Sequence, residues 1–315
     1  MIEALADGQF HSGESLGRLL GISRAAVWKR LSTLAAKGVV LESVRGKGYR
    51  ILGGLELLDE GRLNAGSSVP VVVLDETVST NDDAVQMLRQ RSTAFAVLAE
   101  HQTAGRGRRG RQWVSPYGCN LMLSFGYRFP VGALRLEGLS LAVGVLVAEA
   151  LEALGLQSIG LKWPNDIWVG DKKIGGILIE LAGDLQDSCA AVIGIGINGK
   201  IPLQAAAIDQ PWTDYALESG QPLPRNQLAS ELIERLHQLC KAFPVSGFSV
   251  WQEPFNARDG LVGREVIARG TSEMLGIAQG VSETGAFRML VDGKEVLING
   301  GEISLRPVRR MAGDV

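Results

Sequence analysis

The chain has 315 residues and a formal net charge of -2, with 46% hydrophobic and 21% charged residues. This length predicts two or three compact units, and the composition is that of an ordinary globular protein, which argues against an intrinsically disordered chain. The three cysteines form no Cys-x-x-Cys pair, which argues against a disulfide framework and against a zinc site.

The N-terminus and the most apolar segment both predict a cytoplasmic protein. Met1 runs directly into IEALADGQF, which has two acidic residues and lacks the apolar core of a signal peptide. The most apolar run, GLSLAVGVLVA at residues 138–148, is far shorter than the ~20 residues that cross a bilayer. We expect this run to form a buried helix, and we expect no membrane partner.

Residues 1–50 predict a DNA-binding module. They contain eight basic and four acidic side chains, and such an excess of positive charge favours contact with nucleic acid. Two helical patterns are joined by GIS, with Ser12 and Ser23 suited to cap them and Gly38 suited to end the second in a left-handed turn. The side of the second helix opposite its apolar stripe is small and polar enough to enter a major groove.

The two helices are followed by a hairpin pattern, VVLESV and YRIL joined by RGKG. Together these elements predict a winged helix-turn-helix domain, although a small helical domain with a solvated charged face remains the alternative. Its first helix must fit into MIEALA, so we expect either a trimmed helix or a start upstream of Met1. The predicted DNA-contacting residues are Arg24, Ala25, Lys29, Ser32, Arg45 and Lys47.

A glycine-containing connector at residues 52–68 is expected to hold one or two helical turns, with a domain boundary near Gly66. The strand pattern VPVVVL follows, and Ser79, Thr80 and Asn81 then fit the N-cap region of a helix. A strand-to-helix junction of this kind also exposes backbone N–H groups that can bind a small polar ligand.

The segment TAGRGRRGRQW at residues 103–113 contains G-x-G-x-x-G, the pattern of a dinucleotide-binding turn. Such a turn needs a strand before it and a helix after it. AFAVLAE supplies the strand, but RQWVSPYGCN then turns at a proline and a glycine in place of a helix. A nicotinamide-dependent oxidoreductase is therefore not expected.

The same segment is strongly cationic, because Arg106, Arg108, Arg109 and Arg111 lie within six residues. Like charges at this density are tolerable only in a solvated loop or around an anion. We therefore predict a flexible phosphate-binding loop that orders around its ligand, with Trp113 offering a face for ring stacking. A solvated basic loop without function is the alternative.

Residues 161–181, LKWPNDIWVGDKKIGGILIEL, combine a bend with two strand patterns. Asn165 and Asp166 follow a Trp-Pro pair at the bend, where their side chains can point to one site. Lys173 stands where the second strand begins, after a Gly-Asp turn. Taken alone, this segment also fits a simple turn beside a solvated strand edge.

Two later segments complete the pattern. The apolar strand AAVIGIGIN contains glycines that indicate close approach of another backbone or a ligand, and Asn198 at its end offers a polar contact. Residues 261–315 carry short strand patterns punctuated by turns, which predict a small all-β unit. The three histidines are scattered, and no hydrolytic nucleophile motif is visible.

Six motifs occur in the order found in biotin protein ligases: STN, QTAGRGRRGRQW, KWPND, KKIGGILIE, GIGIN and GGEISLR. With its N-terminal module, the chain resembles the bacterial biotin ligases that also repress the biotin operon, over nearly its whole length. The resemblance implies an α+β fold with three parts: a winged helix-turn-helix domain at 1–66, a mixed-sheet α/β ligase domain at 67–260 and an SH3-like β-barrel at 261–315.

The resemblance implies that biotin and ATP give biotinyl-5'-AMP and pyrophosphate, and that biotin then passes to a lysine of a biotin carboxyl carrier protein. Since a carboxylate that attacks a phosphate must overcome repulsion between two anions, cationic side chains and a Mg²⁺ ion that accompanies ATP are expected to neutralise charge. No metal site made by protein alone is expected. Operator DNA and a homodimer formed on ligand binding are the other implied partners.

Residue roles carry over from the motifs. The residues expected to be catalytic are Arg106, Arg108, Arg109, Lys173 and Asp166, with Asp166 the candidate for the proton of the incoming amine or for positioning metal. Trp113 is expected near the adenine, Asn198 near the nucleotide, and Arg306 facing the ATP site. Binding of biotin and the acyl phosphate is expected from Ser79, Thr80, Asn81, Gln102, Gly105, Arg106, Gly107, Arg108, Asn165 and Lys173.

Two other functions stay open at this point. One is a ligand-sensing transcription factor that has lost catalysis, against which the intact cationic loop and Lys173 argue. The other is a ligase for another acid such as lipoate, since the sequence does not give the shape of the pocket.

Overall fold

The computed structural model describes residues 1–183, 187–202, 208, 210–270, 273–300 and 303–308. The three cysteines are free and buried. Among the described helices, none combines the length and the apolar character needed to cross a membrane.

The N-terminal part is a helix-turn-helix followed by a two-stranded hairpin. Its elements are α1 (Ile2–Leu5), α2 (Gly13–Leu20), α3 (Arg24–Ala36), β1 (Leu41–Val44) and β2 (Gly48–Ile51). The caps are those expected from the sequence. The Ser12 hydroxyl accepts from the Ser15 N–H at 2.9 Å, the Ser23 hydroxyl accepts from the Ala26 N–H at 3.3 Å, and Gly38 has a φ of +86° just after α3.

The core of the N-terminal part is completed by a residue from the central part. Leu16, Val27 and Leu31 bury the inner sides of α2 and α3, and Tyr117, far along the chain, packs into the same cluster. The predicted winged helix-turn-helix is thus confirmed as a helix-turn-helix with an antiparallel hairpin that rests on the next part of the chain.

The central part contains the predicted mixed sheet, which has seven strands. Its strands are β3 (Val71–Thr77), β4 (Phe95–Gln102), β5 (Leu121–Phe129), β6 (Ile159–Lys162), β7 (Asp166–Val169), β8 (Lys172–Gly183) and β9 (Cys189–Ile197). The order across the sheet is β3-β4-β5-β9-β8-β7-β6, and only the β3–β4 pair within it is parallel.

Helices cover both faces of this sheet. They are α4 (Glu60–Ala65) in the connector, α5 (Thr80–Leu88), α6 (Leu139–Ala153), α7 (Tyr215–Ser219), α8 (Arg225–Ser246) and α9 (Gln252–Asn256). The predicted buried helix is confirmed as α6, in which 11 of 15 residues are buried. Alternate residues of β4 separate the faces, because Phe95 and Val97 pack under α5 while Ala96 and Leu98 join the larger core beneath α6 and α8.

The C-terminal part is an antiparallel sheet of β10 (Glu265–Arg269), β11 (Glu273–Val281), β12 (Phe287–Val291), β13 (Lys294–Ile298) and β14 (Ser304–Pro307). Its order is β13-β12-β11-β10-β14. The predicted all-β unit is therefore confirmed, but within the described residues β13 and β14 remain unpaired edges and the sheet does not close into a barrel. The indole N–H of Trp163 donates to the Gly285 carbonyl at 3.1 Å and joins this sheet to the central part.

Candidate active site

Two adjoining cavities open on the α5 side of the sheet. The larger has a volume of about 600 Å³, and the smaller lies between α5, β8 and β9. Residues that line both are Gln102, Gly107, Arg108, Trp113, Asn165 and Lys173. Ser79, Thr80, Asn81 and Arg106 line the smaller cavity, while Arg109 and Asp166 line the larger, so the structure gathers most of the predicted site residues.

The polar end of the smaller cavity is built where β3 passes into α5. The side-chain carbonyl of Gln102 accepts from the backbone N–H of Thr80 at 2.8 Å and from its hydroxyl at 3.0 Å. Ser79 holds the N-cap position but makes no capping bond with its side chain, which lines the cavity instead. The helix N-terminus therefore presents buried hydroxyl and amide groups suited to a small polar ring.

Glycines form the floor of the smaller cavity. Gly194 and Gly196 lie on the α5 side of β9, while Ile193 and Ile195 point into the core on the other side. A Cβ atom at Gly196 would lie 2.7 Å from two ring carbons of Trp113, and one at Gly194 would meet the Asn81 amide. The glycines of GIGIN thus permit the close approach predicted from the sequence, and the approaching groups are Trp113 and Asn81.

The cationic loop folds as a short hairpin. Gly107 N–H donates to the Arg111 carbonyl at 2.7 Å, and Trp113 N–H donates to the Gly105 carbonyl at 2.8 Å. Gly105 is required for this packing, since a Cβ there would lie 2.7 Å from the Gln102 amide nitrogen. Arg109 adopts a φ of +58° at the tip.

Arg106 is fixed at the outer edge of the smaller cavity. Its guanidinium donates twice to the Asp82 carboxylate, at 2.5 and 2.6 Å, and lies 3.5 Å from Glu180. These hydrogen bonds raise the pKa of Arg106, which stays cationic. The Asn81 amide donates to Glu180 at 2.7 Å, so α5, β8 and the loop share one ion-paired cluster.

The junction of the two cavities carries buried cations around one carboxylate. The Lys173 ammonium lies 2.6 Å from Asp166 Oδ1, and the Lys162 ammonium lies 3.7 Å from Asp166 Oδ2. Burial lowers the pKa of Arg108 and of Lys162. Arg108 also donates to Asn165 at 3.3 Å. Desolvated cations interact strongly with an anion, so this junction is suited to bind phosphate.

Trp113 lies where the two cavities meet. Its ring faces Gly196, and the Lys173 ammonium lies 5.7 Å from its centroid. The indole N–H is buried and has no hydrogen-bond partner among the described residues. A buried donor without a partner carries a desolvation cost that a ligand acceptor removes.

Three predicted site residues stand outside both linings, and one of them is Gly105, described above in the cationic loop. The Asn198 amide donates to the Thr213 carbonyl at 2.9 Å, so it holds the chain after β9 in place. Arg306 is exposed on β14, while its neighbours Ser304 and Leu305 line the larger cavity. Its charge is close enough to contribute to the lowered pKa of Lys162.

Two residues at the smaller cavity, Ser124 and Glu180, were not predicted from the sequence, and they hold Thr80 and Asn81 there. The Ser124 hydroxyl lies 2.8 Å from the Thr80 hydroxyl and 2.6 Å from the Asn81 carbonyl oxygen, and Glu180 holds the Asn81 amide. Each is a lone polar residue inside an apolar strand, LMLSFGY and IGGILIEL, and that departure from the strand pattern is the signal that could have found them.

The N-terminal part contributes to the larger cavity. Its wall includes Ala36, Lys37 and Gly38 at the end of α3. The Lys37 ammonium lies 2.8 Å from the Glu76 carboxylate. The backbone carbonyl of Lys37 accepts a hydrogen bond from the Tyr117 N–H at 3.0 Å, and the Tyr117 hydroxyl donates to Asp75. No local pattern in the sequence predicts this contact.

The predicted DNA-contacting residues are all exposed. Arg24, Ala25, Lys29 and Ser32 lie on the outer side of α3, and Arg45 and Lys47 lie in the hairpin turn. The Ser32 hydroxyl donates to the Trp28 carbonyl at 3.1 Å, so it is engaged within the helix. In the described part of the chain, no group of three or more potential metal ligands was found.

Comparisons with known proteins agree with this architecture. Residues 73–198 match the Biotin/lipoate A/B protein ligase family, and residues 1–50 match an HTH domain. The chain is 41% identical over 309 residues to the bifunctional ligase/repressor BirA of Salmonella typhimurium, covering 97% of this chain and 96% of that protein. It is 39% identical over 316 residues to BirA of Escherichia coli, covering 98% and 97%.

Among solved structures, the chain is similar to the biotin protein ligase from Aquifex aeolicus in complex with biotin and ATP. The TM-score is 0.63 at 29% identity, and the match covers 76% of this chain and 99% of that one. The resemblance drawn from the sequence motifs is thus confirmed at nearly full length. The chain belongs to the biotin/lipoate protein ligase family, among its bifunctional ligase/repressors.

Proposed function

We propose that the protein activates biotin with ATP to biotinyl-5'-AMP, transfers biotin to a lysine of a biotin carboxyl carrier protein, and represses transcription from an operator when biotinyl-5'-AMP is bound. The observation that carries the ligase function is the pair of adjoining cavities that share six residues. A carboxylic acid in the smaller cavity and a nucleotide in the larger would meet at Arg108 and Lys173.

The smaller cavity supplies both the polar groups and the apolar surface that biotin requires. The hydroxyl and amide groups around Thr80 suit a cyclic urea, and the glycine floor with Trp113 suits an apolar ring and chain. We assign biotin binding to the STN segment, Gln102, Gly105, Arg106 and Gly107. Arg106 is already bound to Asp82, so its role is to hold the loop over the ligand.

In the first step, a carboxylate oxygen of biotin bonds to the α-phosphorus of ATP, the bond to the bridging oxygen breaks, and pyrophosphate leaves. Arg108, Arg109 and Lys173 neutralise the charge that both anions bring together. No side chain has to act as nucleophile. The larger cavity takes the nucleotide, with Trp113 and Asn165 at its inner end and Asn198 and Arg306 in supporting positions.

In the second step, the amine of a carrier lysine bonds to the biotinyl carbonyl carbon, AMP leaves, and the nitrogen loses a proton. Asp166 is the proposed acceptor of that proton. The lining of the larger cavity holds this one carboxylate among its described residues, and it lies within reach of the shared junction. If Asp166 accepts this proton, Asp166→Asn should slow transfer more than activation, whereas an equal loss of both steps would assign Asp166 to holding a metal ion.

Mg²⁺ fits this site as an ion that arrives with ATP. The ion keeps several waters and commonly binds through one or two carboxylates plus substrate phosphates. Asp166 is the residue that would contribute a carboxylate, and the ion would supply charge neutralisation at the phosphates. No metal cage of protein residues is needed.

The remaining parts of the proposal concern organisation. The chain is expected to divide near residues 66 and 260, to have its C-terminal sheet in an SH3-like barrel, and to act in the cytoplasm. DNA contact is assigned to Arg24, Ala25, Lys29, Ser32, Arg45 and Lys47.

Biotinyl-5'-AMP is expected to promote homodimers that match two half-sites. Sedimentation velocity with and without biotin plus Mg-ATP tests this step, and an unchanged monomer would contradict it.

Carrier transfer tests the enzyme function. Pure protein, Mg-ATP and an isolated carrier domain are incubated with biotin, lipoate or octanoate, and the carrier is weighed by intact mass spectrometry. We expect the mass of one biotinyl group, absent when the acceptor lysine is replaced by arginine. Modification by lipoate or octanoate instead would assign the site to another acid. An unmodified carrier with every acid would favour a ligand-sensing regulator.

A further inference from the structure

Trp28 is a large aromatic side chain that the fold leaves in solvent. It is 66% exposed, whereas the other five tryptophans, all in the described part of the chain, are buried or half-buried. It lies in α3, the second helix of the helix-turn-helix. The core of that domain uses Val27 and Leu31, which lie on the inner side of the same helix.

The position of Trp28 on α3 places it among the predicted DNA-contacting residues. Ala25 and Ser32 lie three residues before and four residues after it, so all three share one outer face. Ala25 is small and leaves the indole as the most prominent group there. The Ser32 hydroxyl is engaged with the Trp28 carbonyl, so it is a weaker candidate for base contact than its position suggests.

The charge around Trp28 indicates which kind of molecule binds over its exposed indole. Helix α3 carries Arg24, Lys29 and Arg30, all exposed, and contains no acidic residue. The hairpin adds Arg45 and Lys47, both exposed. A cationic helix that exposes one aromatic side chain is complementary to the phosphate-lined major groove of DNA, where thymine presents an apolar methyl group.

We propose that Trp28 is a specificity-determining residue that contacts the 5-methyl group of a thymine in each half-site of the operator. This inference rests on the DNA-binding part of the proposed function. The cations bind phosphates and set the register, and they carry no sequence information. The indole supplies apolar surface in the groove and thereby distinguishes thymine from cytosine, which lacks the methyl group.

The test removes the methyl group from the DNA and the indole from the protein. Wild-type protein with biotin and Mg-ATP first selects its preferred duplex from a pool with a randomised core. Each thymine of that duplex is then replaced singly by deoxyuridine, which lacks only the methyl group. Fluorescence anisotropy gives the affinity of wild type and Trp28→Ala for every duplex, and Leu19→Ala is the control, because Leu19 is 68% exposed on α2.

We expect one thymine in each half-site at which deoxyuridine weakens wild-type binding about fourfold, the effect of one buried methyl group. Trp28→Ala should bind both duplexes equally, while Leu19→Ala should keep the fourfold difference. Trp28→Ala is expected to fold normally, since alanine is the best helix former and the site is exposed; circular dichroism checks this.

Four results would overturn the inference. If wild type selects a sequence but no thymine methyl affects its affinity, or if Trp28→Ala keeps the same sensitivity, Trp28 does not read the methyl group. If Trp28→Ala weakens every duplex equally, the indole contacts the DNA backbone only. If wild type enriches no sequence at all, the DNA-binding part of the proposed function fails, and this inference fails with it.

Discussion

The Lys173 ammonium and the Asp166 carboxylate are in direct contact, with 2.6 Å between Nζ and Oδ1, at the point where the two cavities meet. Both side chains are largely buried. Asp166 stands at the start of β7, and Lys173 lies near the start of β8, where it pairs with Trp168 next to a register shift between the two strands. The pair therefore holds a cation in a fixed direction before any ligand arrives.

Lys173→Gln should slow formation of biotinyl-5'-AMP by about 10²–10³-fold, the usual effect of removing one preorganised group that stabilises developing charge. Biotin affinity should change far less, because the smaller cavity keeps its polar end. Pyrophosphate release under single-turnover conditions measures the rate, and calorimetry measures biotin binding.

Lys172→Gln is the matched control, since this neighbouring lysine is exposed and outside both linings. It should leave the rate unchanged. Equal effects of the two replacements would show that Lys173 acts through general charge and not through its fixed position.

Gly196→Ala should weaken biotin binding by about tenfold or more. The new methyl group would lie 2.7 Å from the Trp113 ring, and relieving such a clash in a packed site costs about 1–3 kcal/mol. Gly160→Ala in β6 is the control, because its Cβ has no neighbour nearer than 3.6 Å. Unchanged biotin affinity in Gly196→Ala would mean that Trp113 is not part of the biotin site.

Arg225→Leu should lower the free energy of unfolding by about 3–5 kcal/mol, as expected when one partner of a buried ion pair is removed. Arg225 lies 2.7 Å from Glu100, and both side chains are almost fully buried. Glu100 also accepts from the Leu58 N–H, so the pair ties the connector to the central sheet.

The double variant Glu100→Gln, Arg225→Leu should be more stable than Arg225→Leu alone, because it leaves no uncompensated buried charge. Arg288→Leu, which breaks an exposed pair with Glu295, should cost less than about 1 kcal/mol. Chemical denaturation of all three variants checks these values. Similar losses in Arg225→Leu and Arg288→Leu would contradict the account.

Asp259→Asn should stabilise the protein at neutral pH. Burial raises the pKa of Asp259 to about 6, and its Oδ2 has no hydrogen-bond partner among the described residues. The folded state therefore keeps the Asp259 proton to a higher pH than the unfolded chain does. The contribution of this proton to the free energy of unfolding is fully present below about pH 4 and is lost as the pH rises through about 6.

The asparagine variant keeps an acceptor for the Leu261 N–H and removes the buried charge. Its unfolding temperature should therefore exceed that of wild type at pH 7.5, and the difference should shrink toward pH 4. Asp292→Asn, at an exposed turn, should behave as wild type at both values. A pH-independent difference for Asp259→Asn would show that charge burial is not its cause.

The sequence predicted local structure well where the signal is local. Caps at Ser12 and Ser23, the strand before the arginine loop and the buried helix at residues 139–153 all follow from spacing and side-chain chemistry. Most of the residues that line the two cavities were predicted from the sequence because their motifs are dense in charge and glycine. Asn198 lies outside both linings, because its amide bonds to backbone far along the chain.

Contacts between distant segments of the chain could not be predicted from the sequence. Nothing local pairs Lys37 with Glu76, or places Tyr117 in the core of the N-terminal part. The edges of the C-terminal sheet are likewise set by strand pairing between distant segments, and strand patterns alone do not tell an open sheet from a barrel. A lone polar residue such as Ser124 can be recognised as part of the site only when the pairing of the surrounding strands is known.

The most direct test of the central claim is mass spectrometry of the small molecules formed when pure protein is mixed with biotin and Mg-ATP, without any carrier. The account predicts one biotinyl-5'-AMP held per protein chain and an equal amount of pyrophosphate. Bound biotin with intact ATP and no adenylate would contradict it.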